Sequence, residues 1–126
     1  MTRVGLVALG GAIGSVARYG VGALAAQVLG PGFPWGTLLV NLSGSFLISG
    51  IMHLALSGTA ISLELRIFLT TGIMGGYTTY SSFNYETLAL VDQRAYWLAA
   101  LNIAATVVGC FTAGVLGLVA GRAVAG

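Results

Sequence analysis

Long apolar stretches separated by short, turn-forming breaks run along the whole chain. A helix needs about 20 mostly apolar residues to cross the hydrocarbon core of a bilayer. Four stretches reach that length: Val4 to Leu29, Trp35 to Leu56, Leu65 to Leu90 and Tyr96 to Ala120. Gly30-Pro31-Gly32-Phe33-Pro34 stops helix propagation after the first, Ser57 to Ser62 after the second and Val91-Asp92-Gln93-Arg94 after the third. The pattern predicts an all-α membrane protein, a single domain over 1–126 with four transmembrane helices. Short connections make successive helices antiparallel, so both termini share one side with Arg3, Arg66 and Arg122. Arg94 lies on the other side, joined by Arg18 if it leans that way, and this arginine bias orients the chain only weakly. The first apolar stretch is long, carries Arg18 and lacks a clear cleavage site, so it reads as part of the fold and not as a signal peptide.

Polar residues inside spans carry the information, because each must be paired or face water. Arg18 lies about 21 Å along the first helix from Val4, at about 1.5 Å per residue. It reads either as a snorkelling arginine with its head at the interface or as a cation at a pore mouth that draws in anions. In the second span Thr37, Asn41, Ser45, Ser49 and His53 recur every four residues and form a polar stripe. Asn41 is the costliest of these, since its amide has several groups to satisfy. In the third span, Gly75-Gly76 followed by Thr78-Thr79 and Ser81-Ser82 is poor helix chemistry. It predicts a helix broken near the midplane over Gly75 to Thr79, tolerated only where it is buried in protein or lines a cavity. Tyr77, Tyr80 and Phe83 at three-residue spacing are expected to share a face, where ring edges can meet an anion. In the fourth span Asn102 and Thr106 either complete a polar wall or glue helices together.

Composition narrows the function classes. Hydrophobic residues make up 57% of the 126 residues and charged residues 6%, against about 25% charged in soluble domains, and mean hydropathy is +0.97. There is no lysine, and a net charge of +2 makes no basic patch, which argues against nucleic acid as a partner. Cys110 is alone in an apolar run and reads as a small hydrophobe. His53 has no companion at metal-ligand spacing, and no nucleophile–base pair is apparent, so an enzyme is not expected. Gly10/Gly14, Gly72/Gly76 and Gly117/Gly121 are spaced four apart, as in helices that pack closely in lipid.

Three blocks together give the chain a family likeness. They are Gly10-Gly11-Ala12-Ile13-Gly14 leading to Arg18-Tyr19; Pro34-Trp35-Gly36-Thr37-Leu38-Leu39-Val40-Asn41; and Gly75-Gly76-Tyr77-Thr78-Thr79-Tyr80-Ser81-Ser82-Phe83 with Glu86 after it. In these the chain resembles the small fluoride channels of the Fluc family, over nearly its whole length. The resemblance implies a dual-topology homodimer of opposed subunits in the cell inner membrane. Two pores along the dimer interface would let fluoride leave passively and so relieve its toxicity. It implies that Asn41, Tyr80, Ser81, Ser82, Phe83, Thr37, Glu86 and Asn102 line the pore and that Arg18 sits in its vestibule. It also points to a structural, untransported sodium ion on the dimer axis. A helix break there would free the backbone carbonyls of Gly75 and Thr78 from each copy as its ligands. Tyr80 stands where the family usually has phenylalanine, Ser82 where threonine is common and Asn102 where a tyrosine is often found. Two other readings fit a short four-helix chain. A multidrug or cation exporter would carry an acid in the first span, which this chain lacks, and a structural membrane subunit would need neither the break nor the stripe.

Overall fold

The computed structural model describes residues 2–58 and 61–126. Its elements are α1 (Arg3–Leu29), α2 (Trp35–Leu56), α3 (Leu63–Ile67), a π-helical segment (Phe68–Met74), α4 (Gly75–Tyr77), α5 (Tyr80–Asp92) and α6 (Tyr96–Ala125). The helices α1, α2 and α6 are each long and apolar enough to cross a membrane. The third pass is made in two pieces, α3 through α4 and then α5. Its ends fall at Leu63 and Asp92, slightly outside the apolar stretch, and α6 continues to Ala125. Residues 59 and 60 of the second connection lie outside the described residues.

Local chemistry sets the ends. Thr2 caps α1, its side chain accepting from Gly5 N at 3.1 Å. Gly30, at φ +83°, ends α1 in a conformation that favours glycine. Ser62 caps α3 by accepting from Leu65 N at 3.1 Å. Arg94 closes the last turn at φ +59°, with its N–H donating to Val91 O and that of Ala95 to Leu90 O. The ion pair of Arg3 with Glu64 at 3.8 Å joins the starts of α1 and the third pass at one end of the bundle. His53 beside Gly121 brings the ends of α2 and α6 to that same end. The expected antiparallel order therefore holds. At the opposite end Trp35, Tyr96 and Trp97 are exposed, as in an interfacial aromatic belt.

Glycines decide which helices pair. A Cβ on Gly14 would fall 2.1 Å from Ile73 O, and one on Gly76 would fall 2.5 Å from Gly11 O, so α1 and the third pass touch backbone to backbone. A Cβ on Gly117 would fall 2.1 Å from Phe46 O, seating α6 on α2 in the same way. The first half of the third pass packs on α1, whereas α5 packs on α6. The break between them carries the chain across α2. Little side-chain surface is buried inside the chain. Val16, Tyr19, Val107, Val108 and Phe111 all face outward, toward lipid or another protein.

Candidate functional site: the break in the third pass

The break lies at Thr78 and Thr79, both extended, at φ, ψ of −88°, 158° and −155°, 120°. This narrows the expected stretch, Gly75 to Thr79, to its last two residues. Gly75 and Gly76 remain helical, because Gly76 serves the close approach to α1 and does not serve to unwind the chain. What unwinds it is hydroxyl and amide chemistry. Thr79 Oγ1 caps α5 by accepting from Ser82 N at 3.2 Å, and lies 3.3 Å from Ser81 Oγ and 3.2 Å from Ser82 Oγ. Asn41, buried at 9% exposure, reaches from α2 and binds Thr79 at both backbone groups. Its Nδ2 donates to Thr79 O at 3.0 Å and its Oδ1 accepts from Thr79 N at 2.9 Å. A side-chain amide thus completes the ladder where the helix stops, meeting the demand that irregular backbone in a membrane be satisfied inside the protein.

These substitutions sort the carbonyls of the break. Thr79 N serves Asn41, so Gly75 O loses its usual donor. Ser82 N serves the Thr79 hydroxyl, so Thr78 O loses its own. Gly76 O receives Arg18 Nε at 3.0 Å. Among the described residues, no side chain and no backbone group outside the helices' own ladders donates to Gly75 O or Thr78 O. Arg18 therefore turns its Nε toward the break and lines the wall of a cleft beside it.

Two clefts meet at Thr79. One, of about 610 Å³, is lined by Ser15, Arg18, Tyr19, Thr37, Thr79 and Ser82. The other, of about 360 Å³, is lined by Asn41, Thr78, Thr79, Tyr80, Phe83 and Thr106. The second shares Ser45 and Cys110 with a neighbouring cavity of about 410 Å³ that is also lined by Ser49 and Gly114. Asn41, Ser45 and Ser49 of the stripe on α2 therefore line two neighbouring stretches of one face. Thr37 donates a short hydrogen bond to the Glu86 carboxylate, pinning α2 to α5 near the entrance.

The aromatics divide differently from expectation. Tyr77 precedes the break, and its hydroxyl lies 2.9 Å from that of Ser43. It does not share a face with the pair beyond the break. Tyr80 and Phe83 do meet, with ring centroids 5.7 Å apart and planes at 65°. Phe83 is buried at 8% exposure and Tyr80 stands out at 77%. Asn102 is 2% exposed and donates to Thr87 Oγ1 at 2.9 Å, so it joins α6 to α5. Thr106 lines the groove, and its buried hydroxyl has no partner among the described residues. Sequence reasoning missed Ser43, Thr87 and the groove-lining role of Cys110. Only the four-residue step from Asn102 through Thr106 to Cys110 hinted at the last.

Comparison with known proteins places this architecture. Residues 5–118 match the family described as CrcB-like protein, Camphor Resistance (CrcB). The chain belongs to the CrcB-like family. A relative in Anaeromyxobacter sp. (strain K), named fluoride-specific ion channel FluC, is 59% identical over 113 residues, 90% of each chain. Proteins of the same name in Sorangium cellulosum and Thermus thermophilus are 48% and 59% identical. The first match covers 97% of this chain and 96% of its relative, and the second 73% of each. This CrcB-like chain is a multi-pass membrane protein of a channel family and not an enzyme.

Proposed function

We propose that the chain is a fluoride channel that lets the ion leave the cell passively. The observation that carries this reading is a pair of clefts that share Thr79 and are lined by hydroxyls, the Asn41 amide and the Phe83 ring. Fluoride is small and strongly hydrated. A pore must offer it donors in place of water, yet hold it weakly enough at several sites for it to move on. Ser81, Ser82 and the second N–H of the Asn41 amide supply donors, and the ring edges of Tyr80 and Phe83 supply partial positive charge. Arg18 adds a fixed positive charge to the wall of the larger cleft. The fluoride-specific names of the relatives support the same ion.

The groove along α2 and α6 is open to the side in a single subunit. We propose that a second copy in the opposite orientation closes it, giving two pores per dimer. Gly75 and Thr78 fit a structural sodium ion at that contact. Their carbonyls have lost their helical donors, and Gly75 is exposed, with only Thr70 O, at 3.7 Å, near where a side chain would stand. Two such carbonyls from each copy would make four oxygen ligands, and the ion would neutralise carbonyls that are otherwise unpaired in the membrane.

The test is ion efflux from liposomes holding the purified protein. Rapid fluoride efflux with chloride retained is expected. Equal leakage of both ions would refute selectivity, and retention of both would refute the channel reading.

A further inference from the structure

We propose that Arg18 is a positioning residue, a latch that holds the C-terminal end of α4 on α1 and so fixes the geometry of the break. As to transport, this rests on the channel reading above; as to structure, it stands on the geometry alone.

The bond responsible joins residues 58 apart in sequence and uses Nε, the donor nearest the aliphatic stem. Gly76 O is a last-turn carbonyl of α4, and its ordinary partner would be Tyr80 N. The extended residues Thr78 and Thr79 carry that N–H away. A carbonyl at a helix C-terminus sits at the negative end of the helix dipole and favours a cation. Among the described residues Arg18 has no acidic partner, since the ion pair present joins Arg3 and Glu64. Its charge is thus matched to backbone, not to a carboxylate.

Glycine packing delivers the arginine to this carbonyl. Gly76 lies against Gly11 and Ser15 of α1. Arg18 follows them at seven and three residues, on the same helix face. A residue larger than glycine at 76 would push the two backbones apart and lift the carbonyl from reach.

The latch complements Asn41. Asn41 holds the break from α2 through Thr79, and Arg18 holds it from α1 through Gly76. Between them they occupy the carbonyls of Gly76 and Thr79, while Gly75 O and Thr78 O have lost their usual helical donors to Asn41 and the Thr79 hydroxyl. Arg18 thereby helps decide which oxygens stay open. A vestibular charge acts through its field and tolerates lysine. A latch needs a planar donor with fixed reach, and lysine is a poor substitute there.

The discriminating experiment is hydrogen–deuterium exchange on the full chain in detergent, following peptides across the break beside peptides of α2 and α6. Arg18→Lys and Arg18→Gln are each expected to speed exchange across the break several-fold, to leave α6 unchanged and to slow fluoride efflux from liposomes. If Arg18→Lys restores wild-type exchange and efflux, the residue acts by charge alone and the latch is refuted. Unchanged exchange in both variants refutes it as well. Should the variants fail to fold, the wild-type chain decides: with nitrogen-15 arginine, the Arg18 Nε–H is expected to be protected from exchange. Exchange as fast as that of the exposed Arg94 would overturn the latch. A wild-type protein that carries no fluoride would sink the channel reading, while the exchange results would still decide the latch.

Discussion

Asn41 spends its carboxamide on a single residue, donating to Thr79 O and accepting from Thr79 N. An amide suits this because it offers a donor and an acceptor side by side. Asn41→Asp keeps the acceptor but sets a carboxylate oxygen against Thr79 O. Removing a buried hydrogen-bond partner costs about 1–3 kcal/mol, so a lower thermal midpoint is expected together with strongly slowed fluoride efflux, since the new charge also repels the anion. Phe83→Ile tests the ring edge. The side chain is buried against Tyr80, and an aliphatic replacement keeps an apolar filler but no aromatic edge. Slower efflux from a folded protein is expected. Wild-type conduction in both variants would show that the route passes elsewhere. Arg94 gives a stability test free of transport. Its φ of +59° is one that an L side chain adopts at a cost of about 1 kcal/mol, so Arg94→Gly is expected to leave efflux unchanged and to raise the thermal midpoint slightly.

At the level of helices, glycines separate into those that seat a neighbour and those that do not. Gly14→Ala places a methyl 2.1 Å from Ile73 O. Overpacking of this kind costs about 1–3 kcal/mol, and a clear drop in the thermal midpoint on size-exclusion chromatography is expected. Gly20, on the same helix, has open space around it, so Gly20→Ala is expected to be neutral or to gain up to about 1 kcal/mol of helix propensity. Equal behaviour of the two variants would show that α1 does not sit on the third pass. The same distinction explains what was legible in the sequence. Apolar length located α1, α2 and α6 to within a few residues, because lipid demands that length whatever the packing. The break was legible as a stretch of poor helix formers from Gly75 to Thr79, but not which of them unwind. In water a glycine pair in a helix is a weak point; between membrane helices it is a contact surface. The true break depends on Asn41, 38 residues before Thr79, and no local periodicity encodes such a pairing. Asn102 posed the same difficulty: its partner Thr87 lies on another helix, so wall and glue looked alike until the fold joined them.

At the scale of the molecule, the subunit leaves a polar groove and many large apolar side chains facing outward. A second copy in the opposite orientation is expected to cover the groove. In a Cys110→Ser background, a single cysteine placed at one terminus should be labelled by an impermeant reagent from both sides of the membrane. Labelling from one side alone would rule out opposed subunits. The divided third pass also bears on how the chain is made. Its halves, Leu63–Tyr77 and Tyr80–Asp92, are each too short to span a bilayer of ordinary thickness as one helix. The junction between them depends on Asn41 for its hydrogen bonds. This segment therefore has to enter the membrane with α2 already beside it. Transplanted alone into a host protein it is expected to be largely translocated, and to be retained when the first two helices are carried along, which glycosylation mapping would read directly. Biogenesis would then have an obligatory order, in which an early helix serves as the template for a later one.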